Sequence, residues 1–303
     1  MKALVTGGAG FIGSHLVDEL VRKKYNVIVL DNLSTGNIKN LRLVKSKIKF
    51  IKCDLSKNKN LSKSLHDVDY VFHLAGLSRV AESIKNPRKY YNANVMGTIN
   101  ILNSVRNLKL KKFIYTASAS CYGNSKEIPT SERAKIQTLS PYALTKWMSE
   151  QIILQRAKLY KFPAISLRLF NVYGLRSRTV GAYSAVISLF LKKKLNNEPL
   201  TVVGDGLQSR SFVYVSDVVN AIIKSAKSKI SNEIFNVGSQ KSVQISKIAQ
   251  LLNGKKIYIP NRLGDPRHSS ANIKKIKRQL DWIPKISIEE GIKLILNNTN
   301  SQH

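Results

Sequence analysis

The stretch "KALVTGGAGFIGSHL", residues 2–16, constrains the fold more than any other part of the chain. A short apolar run of strand type meets a glycine-rich turn, and an amphipathic helix starts at once. Gly7, Gly10 and Gly13 space that turn; Gly8, Gly10 and Gly13 also fit a G-x-G-x-x-G reading. Either spacing lets backbone N–H groups and a helix N-terminus approach a pyrophosphate. Asp31 ends the next apolar run, "NVIVLDN". A carboxylate at that distance accepts hydrogen bonds from an adenosine ribose and repels a 2′-phosphate, which predicts NAD over NADP. A tight strand–helix turn with no ligand is the plain alternative.

The pattern that opens the chain continues along it. Strands are expected at "KALVTG", "NVIVLDN", "IKFIKCDL", "VDYVFHLAG", "KKFIYTASAS" and "AISLRLFNVYG". Helices are expected at "FIGSHLVDELVRKK", with Ile12, Leu16, Leu20 and Val21 on one face, at "NANVMGTINILNSVRNL", and from Pro141 to Tyr160. Pro141 suits the first turn of a helix, where its missing N–H costs nothing. Strands alternating with helices predict an α/β fold with a doubly wound parallel sheet of Rossmann type. Beyond Gly174 the elements are smaller: a helix at "GAYSAVISLFLKKKL", a strand and turn at "LTVVGDG", a helix from Ser216 as N-cap, a strand at "EIFNVG" and a helix at "ISKIAQLL". The domains read from this are an NAD-binding domain over 1–173, with a return segment near 212–237, and a smaller α/β substrate-binding domain over 174–211 and 238–303. Asp54, at the end of the third strand, either reaches the adenine side or serves as a turn residue.

Composition narrows the class. At 303 residues and 43% hydrophobic, the chain is globular, and no apolar run is long enough for a membrane span. No signal-peptide pattern opens it. Two cysteines, Cys53 and Cys121, lack metal spacing and are too few for a disulfide scaffold. Together these predict a cytoplasmic protein. The net charge of +32 raises the question of nucleic acid. Its basic residues are scattered and not interleaved with aromatics, so the reading is a solvated lysine-rich surface that attracts anionic small molecules.

Ten segments in order carry a family resemblance: "TGGAGFIGSHL", "DNLSTG", "CDL", "HLAG", "NVMGT", "TASASCYG", "SPYALTK", "RLFNVYG", "GDGLQSRSFVYVSDV" and "GDPRHSSANI". Through them the chain resembles the extended short-chain dehydrogenases/reductases, and within these the nucleotide-sugar 4-epimerases, over nearly its whole length. The resemblance implies a catalytic set of Ser118, Tyr142 and Lys146. Tyr142 and Lys146 share a helix face at i, i+4 spacing, and an ammonium beside a phenol favours the phenolate a base needs. It further implies that NAD is held by Gly7, Gly10, Phe11, Ile12, Gly13, Asp31, Asn32, Ser34, Thr35, Gly36, Asp54, Leu55, Leu74, Ala75, Gly76, Asn94, Tyr142, Lys146 and Phe170. The implied reaction removes the O4 proton and the C4 hydride of a UDP-sugar, turns the 4-keto sugar over and restores the hydride to its opposite face.

On the substrate side the resemblance implies Ser118, Asn171, Thr201, Val203, Arg210, Arg262, Asp265 and Ser269. Ser211 replaces the aspartate usual beside Arg210. Ala119 and Ser120 replace the acid–base pair of the 4,6-dehydratases and cannot dehydrate. Ser269 either leaves room for an N-acetyl group or is a plain loop residue. Arg79 either lies near the sugar, which keeps uronates as substrates, or points to solvent. The expectation is C4 epimerisation of a UDP-hexose or UDP-N-acetylhexosamine. The alternatives are a UDP-glucuronate 4-epimerase or another NAD-dependent nucleotide-sugar enzyme, and, outside catalysis, a basic NAD-binding protein acting on nucleic acid. A homodimer is expected through the helices Val95–Leu108 and Tyr142–Tyr160, whose Ile99, Leu102, Ile152 and Ile153 face either a partner or the sheet.

Overall fold

The computed structural model describes residues 1–57, 61–62, 65–177, 186–260 and 267–300. The chain divides into two compact units. The first comprises Met1–Cys121, Thr138–Arg168 and Val219–Phe235; the second comprises Tyr122–Gln137, Leu169–Val218 and Asn236–His303.

In the first stretch β1 (Lys2–Thr6), α1 (Phe11–Arg22), β2 (Asn26–Asp31), β3 (Ile48–Lys52) and β4 (Tyr70–His73) precede two short helices, α2 (Val80–Lys85) and α3 (Pro87–Tyr90). Then come α4 (Gly97–Ser104), β5 (Lys112–Ser118), α5 (Pro141–Leu159) and β6 (Ala164–Leu169). Later in the chain β7 (Asn171–Tyr173), α6 (Val186–Leu195), β8 (Leu200–Val203), β9 (Ser209–Tyr214), α7 (Val215–Lys227) and β10 (Glu233–Val237) follow. β11 (Ser242–Gln244), α8 (Ile245–Leu251), β12 (Lys256–Ile259), α9 (Lys274–Leu280) and α10 (Ile288–Asn300) complete it.

A seven-stranded sheet runs β10-β6-β5-β4-β1-β2-β3. The β1–β2, β1–β4, β2–β3 and β4–β5 pairs are parallel. This is the doubly wound fold expected from the alternating pattern. Strand order reverses between β1 and β4, and ligands of such sheets bind beyond the strand ends at that switch. Smaller sheets, β11-β9-β7 and β12-β8, lie in later segments.

Several elements depart from the sequence reading. The buried face of α1 is Gly13, Leu16, Val17 and Leu20, while Ile12 and Val21 are only half-buried. The stretch "AISLRLFNVYG" is two strands: after Leu169 the chain leaves the large sheet, and Asn171–Tyr173 pairs with Phe212–Tyr214 instead. The helix expected from "NANVMGTINILNSVRNL" begins as a π-helical turn, Tyr91–Met96, before α4. Helix α7 starts at Val215, so Ser216 lies inside its first turn; Asp217 there accepts the Lys285 and Ile286 N–H groups at 3.0 Å each. Leu102 and Ile153 lie in the core cluster with Ile101, Phe113 and Tyr115, with Ile152 packed against it, so these side chains face the sheet. Among the described residues no helix is long and apolar enough to cross a membrane, and no group of His, Cys, Asp and Glu could hold a metal ion.

Candidate active site

The glycine turn sits at the end of β1. Gly7 adopts φ +70°, and a side chain there would come within 2.7 Å of the Ala75 backbone nitrogen, which follows β4. The turn therefore lies at the switch between β1 and β4. A Cβ on Gly13 would collide with the Gly7 carbonyl oxygen, so glycine is what lets α1 pack this close to the strand. No side chain caps α1 at Gly10. The N–H groups of the first helical turn, at Phe11 and Ile12, have no intrahelical acceptor and head the helix where an anion would sit.

Asp31, at the end of β2, is bonded to the same turn. Its Oδ2 accepts the Ala9 N–H at 2.9 Å and its Oδ1 the Leu33 N–H at 2.8 Å. Burial raises its carboxyl above the ordinary value, and those two N–H bonds oppose the rise. The "DNLSTG" loop is tied to the same turn, since Asn37 N–H and Asn40 Nδ2 both donate to the Ala9 carbonyl at 2.9 Å. Within that loop Asn32, Ser34 and Thr35 are exposed and Gly36 packs on the Ala9 backbone. Asp54 forms an Asx turn, its Oδ1 accepting Ser56 N–H at 3.0 Å and Ser56 Oγ–H at 2.7 Å. Leu55 is buried, Leu74 and Ala75 are half-buried and Gly76 is exposed. A glycine-rich turn, an uncapped helix start and a fixed carboxylate suit a dinucleotide's pyrophosphate and ribose.

Asn94 lies in the π-helical turn and is 2% exposed. Its Oδ1 accepts Leu77 N–H at 2.7 Å, and its Nδ2 donates to the Leu77 carbonyl at 3.1 Å and to Thr145 Oγ at 3.0 Å. The side-chain amide thus holds the loop after β4 against α5. His73 completes the brace. Its Nδ1 meets Thr6 Oγ at 2.7 Å and its Nε2 meets Thr98 Oγ at 2.9 Å. Thr98 Oγ–H donates to the Asn94 carbonyl at 2.6 Å, so Nε2 carries the proton and the ring is neutral. Burial, then the nearby Lys146 charge, pushes the imidazole down to about 3.

Helix α5 begins at Ser140, whose Oγ accepts Ala143 N–H at 3.2 Å, with Pro141 in the first turn. This N-cap places Tyr142 at the start of the helix and opposite the end of β5. The Ser118 and Ser120 hydroxyls lie close enough to Tyr142 to favour its ionised form. Ser120 in turn donates to Ser118 Oγ, from its hydroxyl at 2.9 Å and from its N–H at 3.2 Å. Burial raises the Tyr142 phenol, and the nearby Ser118 hydroxyl opposes it. Lys146, 7% exposed, donates to the Thr116 carbonyl at 2.6 Å and lies 4.4 Å from the centroid of the Tyr115 ring. Burial brings its ammonium down to about 7. Gly76 belongs to the same cluster: a Cβ there would stand 3.0 Å from Asn94 Oδ1 and 3.9 Å from Lys146 Nζ.

Apart from Ser118, the residues expected for the substrate fall in the second unit. Phe170, expected at the cofactor, also falls there; it is buried and stacks on Tyr122. Asn171 is exposed, and its Nδ2 donates to the Ser211 carbonyl at 3.1 Å. Arg210 Nη1 donates to the carbonyl of its neighbour Ser209 at 2.9 Å. Ser211 is fully buried and exchanges hydrogen bonds of 2.8 Å with the Ser239 backbone. Ser269 N–H donates to the Ser209 carbonyl at 3.0 Å, which brings it beside the Arg210 strand. Thr201 and Val203 share the half-buried face of β8, with Leu200 and Val202 in the core. Arg262 and Asp265 lie outside the described residues. The sequence reading missed the Thr6–His73–Thr98 brace and a buried Glu150–Arg168 pair. It treated Ser120 only as a residue that cannot act as an acid.

A parallel sheet with a glycine turn and an acid at its switch point defines a dinucleotide-binding α/β protein. Residues 3–238 match the model of the NAD dependent epimerase/dehydratase family, and the chain belongs to that family. Its cofactor is NAD. The fold closely matches a UDP-glucose 4-epimerase of Thermotoga maritima solved with UDP-glucose, at 36% identity and TM-score 0.94, covering 100% of this chain and 99% of that one. A UDP-N-acetylglucosamine 4-epimerase of Methanobrevibacter ruminantium, solved with UDP-N-acetylmuramic acid, matches at 34% identity and TM-score 0.95, with coverage of 100% and 99%. A UDP-glucuronic acid 4-epimerase of Bacillus cereus, solved with UDP-glucuronic acid and NAD, matches at 31% identity and TM-score 0.90 over 100% of both chains.

Proposed function

We propose that the protein epimerises C4 of a UDP-hexose or UDP-N-acetylhexosamine. The observation that carries this reading is the cluster at the end of β5, where Tyr142 stands beside the hydrogen-bonded Ser118 and Ser120 hydroxyls and Lys146 lies one helical turn away. When bound, NAD supplies the hydride acceptor at C4 and afterwards the donor. Tyr142 takes the O4 proton and later returns it. Ser118 hydrogen-bonds O4 and relays the proton, with Ser120 orienting the Ser118 hydroxyl. A buried phenol is a weak base at neutral pH, so the Lys146 ammonium is needed to favour the phenolate. Asn171 and Arg210 hold the diphosphate through neutral and charged donors. Ala119 and Ser120 supply no carboxylate for a dehydration.

Relatives of similar fold act on glucose, N-acetylglucosamine and glucuronic acid derivatives. Ser269 is small, which favours a site open to the 2-N-acetyl group. Arg79 favours the uronate as second reading: it is half-buried just after the loop that follows β4, with its N–H on Tyr90 Oη at 3.1 Å. Incubation with UDP-GlcNAc, UDP-Glc and UDP-GlcA in turn, with the products resolved by chromatography, tests the reading. A 4-epimer from either of the first two supports it. A 4-epimer from UDP-GlcA alone replaces it with the uronate reading. No turnover, together with DNA retardation of steep salt dependence, refutes catalysis.

A further inference from the structure

The face of α5 that carries Tyr142 and Lys146 does not end there. Glu150 stands one turn further on, so the three residues share one stripe at intervals of four. Glu150 is 1% exposed and is paired with Arg168 of β6, itself 3% exposed. Arg168 Nη2 donates to Oε1 at 2.6 Å, and its Nε reaches Oε1 at 3.2 Å and Oε2 at 3.1 Å. Ser166 Oγ–H, also buried, donates to Oε2 at 2.8 Å.

Taking two charges out of water is costly, and apolar side chains of the same volume are often as stabilising as a buried ion pair. A pair retained at this depth therefore calls for a role that apolar residues cannot fill. Its placement supplies one. The carboxylate acts on Lys146, supporting the ammonium against its own burial. The guanidinium and the Ser166 hydroxyl fix that carboxylate in place.

The other groups facing Lys146 cannot do this. From β5 come the Tyr115 ring and the Thr116 carbonyl, which are neutral. From β4 comes His73, whose ring is neutral in its threonine brace. The loop after β4 contributes Gly76, which is neutral. Tyr142, on the same helix, is the group whose phenolate Lys146 serves, so it is not the source of that support. Besides the reacting tyrosine, Glu150 alone among these neighbours bears a full negative charge.

We propose that Glu150, clamped by Arg168 and Ser166, is a positioning residue that keeps Lys146 charged beneath the reacting tyrosine. This rests on the reading of Tyr142 and Lys146 as the proton-transfer pair. The test compares Glu150→Gln and Glu150→Asp with a double replacement, Glu150→Met with Arg168→Met, which removes the pair without stranding a charge. The first readout is the ionisation of Lys146 by NMR of protein carrying ε-13C lysine, with the resonance assigned through Lys146→Met. The second is the pH profile of kcat/KM on the UDP-sugar the enzyme turns over.

Loss of the carboxylate is expected to move the Lys146 midpoint, and the alkaline fall of kcat/KM, to lower pH by about one unit or more, while Glu150→Asp stays near the parent. Folded variants that titrate Lys146 like the parent overturn the proposal. Failure of both charge-removing variants to fold also overturns it, because the pair would then be structural. If Tyr142→Phe still turns over sugar while the Lys146 midpoint shifts as expected, the reading of the reaction fails and the role of Glu150 stands.

Discussion

Asp31 and Asn171 both stand at the ends of strands with polar side chains meant for a ligand, yet their surroundings are unlike. Asp31 is 8% exposed and already fixed by two backbone N–H groups. Lys146 and Asn94 beside the same strand ends are buried and fully engaged. In the second unit Asn171 is exposed and Arg210 half-buried, with a guanidinium nitrogen on its own neighbour's carbonyl. The first region is preorganised by bonds the protein makes with itself. The second presents long, solvated side chains, which lose rotamer freedom when they engage a ligand. Chemistry that tolerates little misplacement is expected in the first region, and substrate affinity and choice in the second.

The largest effect follows directly. Tyr142→Phe should lower turnover by roughly 10²–10⁴-fold, the span typical of a lost general base, and leave bound NAD intact. Chromatography of products and the absorbance of released cofactor check the two halves of that statement. Loss of NAD together with turnover would show that the two functions of the first region are not separable.

How much of this was legible in the chain depended on distance along it. The glycine turn, Asp31 and the Tyr142–Lys146 spacing are local patterns, and local geometry placed them. Ser140 as N-cap was not read from the chain, although a serine before Pro141 is a local signal. The His73 brace joins residues 6, 73 and 98, and Glu150 meets Arg168 across 18 positions. Such contacts exist only once the sheet order is set, and no periodicity announces them. The split of "AISLRLFNVYG" at Phe170 is of this kind too: both halves have strand propensity, and only the partner strands decide which sheet each joins.

The second region yields smaller, more selective effects. Arg210→Ala should raise KM for the UDP-sugar by about 10–100-fold, the scale of one charge-assisted hydrogen bond, with kcat and bound NAD little changed. Steady-state kinetics separate the two constants; an equal fall in kcat would place Arg210 with the preorganised groups. Ser269→Tyr should cost about tenfold or more on UDP-GlcNAc and much less on UDP-Glc, by filling space beside the sugar's second carbon. Equal losses on both substrates would reduce Ser269 to a loop residue.

The last comparison sets a buried charge in the first region against an exposed pair in the second. The folded chain holds Lys146 at about 7, below its ordinary value of 10.5, mainly through burial. Between those values the unfolded chain binds more protons than the folded one, so stability rises with pH across that window. Below about 7 the cost of charging the buried amine is fully present. The melting temperature of the parent relative to Lys146→Met should therefore climb from pH 7 towards 10, and a flat difference would mean that Lys146 is not held in this way. Asp205 and Arg267 form a bidentate pair at 3.0 and 2.6 Å, with half their side-chain surface in solvent. The Arg267 bond holds the Asp205 carboxyl below its ordinary range, so any stability it adds is present above pH 4 and is lost as pH falls through the lowered value. A pair this exposed is screened by water and salt. Asp205→Asn should leave the melting temperature near neutral pH almost unchanged, and a large drop would mean that the second region is more tightly held than its exposure implies.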